Sequence, residues 1–161
     1  MKTEAITNKA RVKPMPNALV SCRNNGRDNA LAVGIAANAS VDPLMVMIGI
    51  VPSRFSYPMI KESGQFVINI PKKDFKEEFD YLGSVSGRDE DKLENMNTKD
   101  ADIVDAPILE DCPVNFECTI IESLTPENGT HELFIAKVEK VHCEEEYLED
   151  GLIQWDKIDL L

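Results

Sequence analysis

An apolar run of seven residues, Leu44 to Ile50, sits between Asp42-Pro43 and Pro52-Ser53. Read as a strand, it is apolar on both faces. In an antiparallel protein it must then be covered on both sides, by other parts of the chain or by a second subunit. The residues after the run narrow the possibilities. Pro52-Ser53-Arg54-Phe55-Ser56 is a short loop with one arginine and two hydroxyls. A short helix is predicted next, with Ser56 as its N-cap, Pro58 in the first turn and Gly64 just past the end. Phe66, Ile68 and Ile70 alternate with Gln65 and Asn69, which predicts a half-buried strand. Free N–H groups at a helix start, beside a guanidinium and two hydroxyls, make a site for a phosphate.

The rest of the chain reads mainly as strands. Residues 1–16 are polar, and Lys13-Pro14-Met15-Pro16 resists helix, so they read as an entry arm. Ala18–Cys22 and Asn29–Gly34 are predicted to pair across a loop containing Asn25-Gly26. Asn38-Ala39-Ser40-Val41-Asp42-Pro43 has the composition of a turn, and its small side chains would also let a flat ring lie close to the backbone. A helix is predicted from a capping-box-like start at Asp74 and Glu77, with Phe75, Phe79 and Leu82 on one face and Gly83 at its end. Ser86 to Leu93 reads as a loop entering a short helix. Val114, Phe116, Cys118 and Ile120 mark a further strand, and Glu132 to His142 returns after the Asn128-Gly129 turn. Many strands with helices as connectors favour a small β-barrel, which removes exposed sheet edges.

At 161 residues, 43% of them hydrophobic, the chain is long enough for one domain with a real core. Its formal net charge of -12 argues against nucleic acid or an anionic membrane as partner. An acidic protein that binds an anion must gather positive charge locally, which directs attention to Arg54, Arg88 and Lys92. Met1-Lys2-Thr3-Glu4 lacks the apolar core of a secretory signal, and a cytoplasmic home is expected. The cysteines, Cys22, Cys112, Cys118 and Cys143, form no Cys-x-x-Cys pair and are expected as reduced thiols. A metal site from His131, His142, Cys112 and Cys118 would have unusual spacing, and none is expected. No Walker loop, Gly-x-Ser-x-Gly or dinucleotide-binding glycine motif occurs.

Taken in order, several stretches resemble the flavin reductase-like (flavoredoxin) family of FMN-binding split barrels. They are Asn29-Ala30-Leu31-Ala32, Asn38 to Pro43, Ser53 to Tyr57 with Phe66 to Ile70, and Ser86-Gly87-Arg88 with Asp91-Lys92. Asp105 to Ile108 and Gly129 to Ile135 complete the set, which spans nearly the whole chain from about Pro14 onward. The resemblance implies a mainly β, antiparallel six-stranded split barrel with short helical connections. It implies one domain over residues 1–161, with 1–13 as an N-terminal arm, and a homodimer with FMN in a groove near the subunit interface. Carried over by position, Ser53, Arg54 and Ser56 would hold the phosphate, with Lys92 as a second cation. Asn38, Ala39 and Ser40 would lie along the flavin ring, with Ala32 near it. His131 matches the family's Gly-Asp-His histidine, although Thr130 replaces the acidic residue, and would serve the nicotinamide side. Family members usually continue past the position of Leu161, which puts the C-terminal part of the site in question.

The resemblance therefore implies an oxidoreductase that moves electrons from NAD(P)H through FMN to an acceptor. One alternative is an FMN electron carrier reduced by a partner protein. Another is a split-barrel binding module without redox activity, against which Arg54 and the two serines count.

Overall fold

The computed structural model describes residues 1–161. The predicted hairpin is present and longer than its apolar cores: β1 (Ala18–Asn24) pairs with β2 (Arg27–Val33). Asn25 and Gly26 connect them with φ of 50° and 75°. A two-residue turn needs left-handed backbone at both positions, which Asn-Gly tolerates. β3 (Ala36–Val41), β4 (Leu44–Ile50) and β5 (Gln65–Ile70) come next, with α1 (Ser56–Ser63) inserted between β4 and β5. After α2 (Lys76–Ser84) come the short β6 (Thr98–Asp100) and β7 (Pro107–Leu109), then the long β8 (Val114–Leu124) and β9 (Glu132–Cys143). A small pair, β10 (Leu148–Glu149) and β11 (Leu152–Ile153), completes the strands. The main sheet is antiparallel, in the order β2-β1-β5-β8-β9-β4-β3, and forms the split barrel.

That sheet has seven strands where six were expected. The extra one is β3, from the stretch with the composition of a turn. Only Asp42 and Pro43 make the turn; Val41 pairs with Leu44, Ser40 with Met45 and Asn38 with Val46, with a bulge between Asn38 and Ser40. Polar residues are tolerated there because β3 is an edge strand with one face in solvent.

Burial follows the pleat. Along β1, Ala18, Val20 and Cys22 enter the barrel core, whereas Leu19 faces a second cluster with Ala30, Phe75, Leu82, Leu93, Leu109 and Cys112 beneath α2. On β4, Val46, Ile48 and Ile50 are buried, but Leu44, Met45 and Met47 are only partly covered by this chain. β5 is buried on both faces rather than one, since it lies between β1 and β8 and under the β7 segment. Its Asn69 is fully buried and satisfied. The side-chain amide donates to Ser21 Oγ at 2.9 Å, while Oδ1 accepts from Leu109 N at 3.1 Å and Asn115 Nδ2 at 2.8 Å.

Three local expectations are corrected. Ser56 is not an N-cap: Phe55 occupies that position in helical conformation, and Ser56 begins α1 with its hydroxyl turned inward. Gly64 does close α1, with φ 69° and its N–H on Ile60 O at 2.9 Å. At α2 no side chain caps the start; a 3-10 turn, Lys73–Phe75, leads in, and Gly83 lies inside the helix. A Cβ there would come 3.0 Å from Ala32 Cβ, so the glycine serves close helix–strand packing. Residues 86–97 are successive turns with no helix, although Lys92 and Leu93 are buried. No helix is long and apolar enough to cross a membrane.

Candidate functional site

The loop after β4, the start of α1, the end of α2 and the Ser86–Arg88 turn converge on the outer side of β2. Between them lies a cleft of about 170 Å³ bounded by Asn29, Ala32, Ser53, Arg54, Ser56 and Lys92, with Leu82 to Arg88 along one wall. The chain has 29 acidic residues against 17 Lys and Arg. None of the acids lines this cleft. Its field is therefore positive inside an acidic protein.

Lys92 is the most constrained cation. It is only 4% exposed, its Nζ donates to Leu82 O at 2.8 Å, and no carboxylate pairs with it. Burial pushes its ammonium down to about 8; the nearby Cys22 opposes that shift and the Arg54 guanidinium adds to it. A buried ammonium has three donors, and here one is used. Such a group asks for an anion. Behind Ser56, in the barrel core, burial pushes the Cys22 thiol up to about 12 against a hydrogen bond from Ser56, so Cys22 stays neutral.

The hydroxyl of Ser56 accepts from Asn29 Nδ2 at 2.7 Å, which fixes the start of α1 against β2. Arg54 is exposed at the mouth, its backbone held by a bond to Val51 O at 2.9 Å and its guanidinium free of carboxylates. Arg88 donates to Ser53 O at 3.0 Å, and Arg27 donates to Gly87 O. Both guanidiniums lie against Phe55, at 5.8 Å and 4.7 Å from the ring centroid. Gly87 has to be glycine: a Cβ would fall on Phe55 Cδ1 and lie 2.8 Å from Asn29 Oδ1.

A second recess of about 70 Å³ shares Leu31, Ala32 and Arg54 with the cleft and ends at Gly34, Gly49 and His131. Cleft and recess form one groove. His131 precedes β9, with Nδ1 2.7 Å from Thr130 Oγ1. Of the residues singled out in the sequence, Ala32, Ser53, Arg54, Ser56, Arg88, Lys92 and His131 therefore line one groove. Asn38, Ala39 and Ser40 do not join them in the single chain. They lie on edge strand β3, where Asn38 borders a separate apolar cavity of about 600 Å³ with Met15, Phe116 and Trp155. Sequence reasoning assigned no role to Asn29, Arg27, Phe55 or Gly87. Asn29 and Gly87 sat in motif stretches; nothing in the sequence brings Arg27 to Phe55.

His142 takes part in a different cluster. Its Nε2 lies 2.6 Å from Glu117 Oε2, while Lys140 holds Asp102 at 2.5 Å. Glu117 Oε1 also accepts from the amides of Ile103 and Val104, so this is a structural tie between β8, β9 and the preceding loop.

The family profile described as "Flavin reductase like domain" matches residues 11–157. The chain is 28% identical to the crystal structure of flavoredoxin from Methanosarcina acetivorans, covering 99% of this chain and 85% of that one, with a TM-score of 0.91. It is 25% identical to an FMN-binding protein from Thermus thermophilus, solved with bound 1-cyclohex-2-enone, over 95% of this chain and 84% of that one, with a TM-score of 0.82. An uncharacterised protein of Archaeoglobus fulgidus is 26% identical over 114 residues, 70% of this chain and 63% of that protein. This chain thus spans less than two thirds of that relative's length.

Proposed function

The chain belongs to the flavin reductase-like family, and from that premise and the groove we propose that it is an FMN-binding oxidoreductase using NAD(P)H. The observation that carries the reading is Lys92, a buried ammonium with one backbone acceptor in a cleft without acids. A flavin phosphate supplies the missing partner. In this reading Arg54 and Lys92 hold its charge, and Ser53 and Ser56 donate hydroxyls, while Gly87 lets its turn pack closely on Phe55 and Asn29. The ring would run past Ala32 toward Gly34 and Gly49, where β2 and β4 bring backbone close. Bound FMN would supply the redox chemistry between the nicotinamide and an acceptor. His131, at the far end of the groove, would position the nicotinamide rather than hold flavin. The roles of Asn38, Ala39 and Ser40 along the ring are kept as part of the same proposal, with these residues reaching the groove only in an assembly of two chains.

The test is flavin titration by fluorescence quenching. Arg54→Ala should weaken FMN binding about ten- to hundred-fold, since a hydrogen bond to a charged group contributes about 1.5–3 kcal/mol. Riboflavin should bind both proteins nearly equally. Equal FMN affinity in the two proteins would sink the assignment. In parallel, His131→Ala should keep FMN affinity and raise the nucleotide KM; loss of flavin from a folded variant would contradict its role.

The flavoredoxin likeness favours one second reading, an FMN electron carrier reduced by a partner protein. NADH and NADPH oxidation by the FMN-loaded chain separates the two: turnover supports the first, and its absence with reduction by a partner supports the second.

A further inference from the structure

The barrel is not closed at one end by its own side chains. There Val46, Ile68 and Ile70 of the core cluster, with the adjacent Phe116, face the apolar cavity of about 600 Å³ that Asn38 borders. Protein interiors are close-packed and leave few voids larger than a water molecule. A space of this size among core residues exceeds any packing defect. It falls in the range of small-molecule pockets, for which the mouths of β-barrels are a favoured place.

The opposite wall is tied down. The entry arm contributes Met15 between two prolines, and the last residues of the chain contribute Trp155 and Leu160. Asn17 Nδ2 donates to Leu161 O at 2.6 Å, Leu161 N donates to Pro71 O at 3.2 Å, and Lys73 N donates to Asp159 O at 2.9 Å. Arm, final segment and the turn after β5 are thus fastened to one another. With the barrel they enclose the space within a single chain.

Two observations define the occupant. None of the thirteen lining residues is charged, in a chain of which 29% is charged. A charged ligand would lose hydration there and gain no counter-ion. Against this apolar lining Asn38 presents an amide that can both donate and accept. Asn38 pairs with Val46, which puts it on the inner side of the sheet, whereas Met45 and Met47 lie on the other side of β4. The cavity therefore opens away from the strand face that this chain leaves partly uncovered. A concave space bounded by one chain suits a small molecule rather than a second subunit.

We propose that the barrel mouth between Met15 and Trp155 is a second binding site, for an uncharged, largely hydrocarbon small molecule with one hydrogen-bonding group that meets Asn38. The site is separate from the cationic groove and stands whether or not that groove holds flavin. Asn38 thereby has a role within the single chain, whichever residues reach the flavin in an assembly.

Three probes of one shape test the assignment: 1-naphthol, naphthalene and 1-naphthoate, titrated into the full chain by calorimetry. Trp155, the single tryptophan, reports the same event through its fluorescence. 1-Naphthol should bind at one molecule per chain and change the Trp155 emission, and 1-naphthoate should bind at least about tenfold more weakly. Asn38→Leu should weaken 1-naphthol about two- to tenfold and leave naphthalene within about twofold. Met15→Asp, on the arm and outside the barrel core, should weaken both uncharged probes about fivefold or more. Val46→Phe, which fills the mouth, should do the same, and thermal melts report whether each variant is folded. Saturating FMN should leave 1-naphthol affinity within about twofold.

Absence of saturable 1-naphthol binding, equal affinity for 1-naphthoate, or unchanged affinity in Met15→Asp overturns the site. So does displacement of the probe by FMN, which would put it in the groove. Binding that weakens as the chain is concentrated into a dimer would give the mouth to a second copy and overturn the proposal as well. An Asn38→Leu protein that binds 1-naphthol as the wild type does refutes the polar anchor. Failure of the chain to bind FMN would refute the flavin reading and leave these titrations unaffected.

Discussion

Lys92 carries a positive charge in a place where the fold alone gives no reason for one. Its lowered pKa makes that visible in solution. In the empty site the ammonium loses its proton above pH about 8, first because burial disfavours the charge, with Arg54 adding to it. A bound phosphate favours the charged form and raises the pKa again. On the proposed function, phosphate affinity is then full below pH 8 and falls as pH rises from there toward the pKa of the complex. FMN affinity should thus decline between pH 8 and about 10, by up to about tenfold per pH unit, and Lys92→Met should remove that slope. A flat profile in the wild type would separate Lys92 from the phosphate. Much of the cleft's lining was legible because Ser53, Arg54 and Ser56 lie within one short loop. Arg27, Phe55 and Gly87 come from three separate stretches and meet only in three dimensions, and no spacing rule announces such a meeting.

At the scale of elements, alternation and turn chemistry were legible wherever one strand meets one face of a core. The Asn25-Gly26 hairpin, β8 and β9 are of that kind, whereas β4 was legible as an unbroken apolar run. β3 was hidden because its exposed face carries Asn and Ser, residues that also favour turns. β5 looks half-buried in the sequence because Asn69 resembles a solvent position. In the fold it is a buried hub that ties β1, β7 and β8 through its amide. Asn69→Ala should therefore leave Leu109 N and the Asn115 amide short of an acceptor. We expect a loss of about 2–4 kcal/mol and a melting temperature lower by about 4–12 °C, read by calorimetry. A shift under about 2 °C would mean that water or a neighbour takes over the acceptor. The capping errors at α1 and α2 have a different origin. Both helices are short and start from packed turns, so tertiary contacts replace the side-chain caps that a free helix would need.

For the whole molecule, the partly uncovered outer face of β4 is the clearest open end. Leu44, Met45 and Met47 are half-buried, Val41 is 84% exposed, and Ile121 and Leu124 are exposed as well. We propose that a second copy covers this surface, as the sequence resemblance implies. Sedimentation at micromolar concentration should then give a species of twice the 18.0 kDa chain; a single 18.0 kDa boundary would refute it. The sheet order has a consequence of another kind, in the time taken to make the protein. β4 ends at Ile50, but its partner β9 starts only at Glu132. At about 5–20 residues per second, a ribosome leaves the apolar β4 waiting for about 4–16 s before that neighbour is even synthesised. β1 and β2 can zip at once, and β5 can join them soon after. The nascent chain thus spends seconds as half a sheet with one sticky margin, and the cell's holding chaperones would meet it at β4.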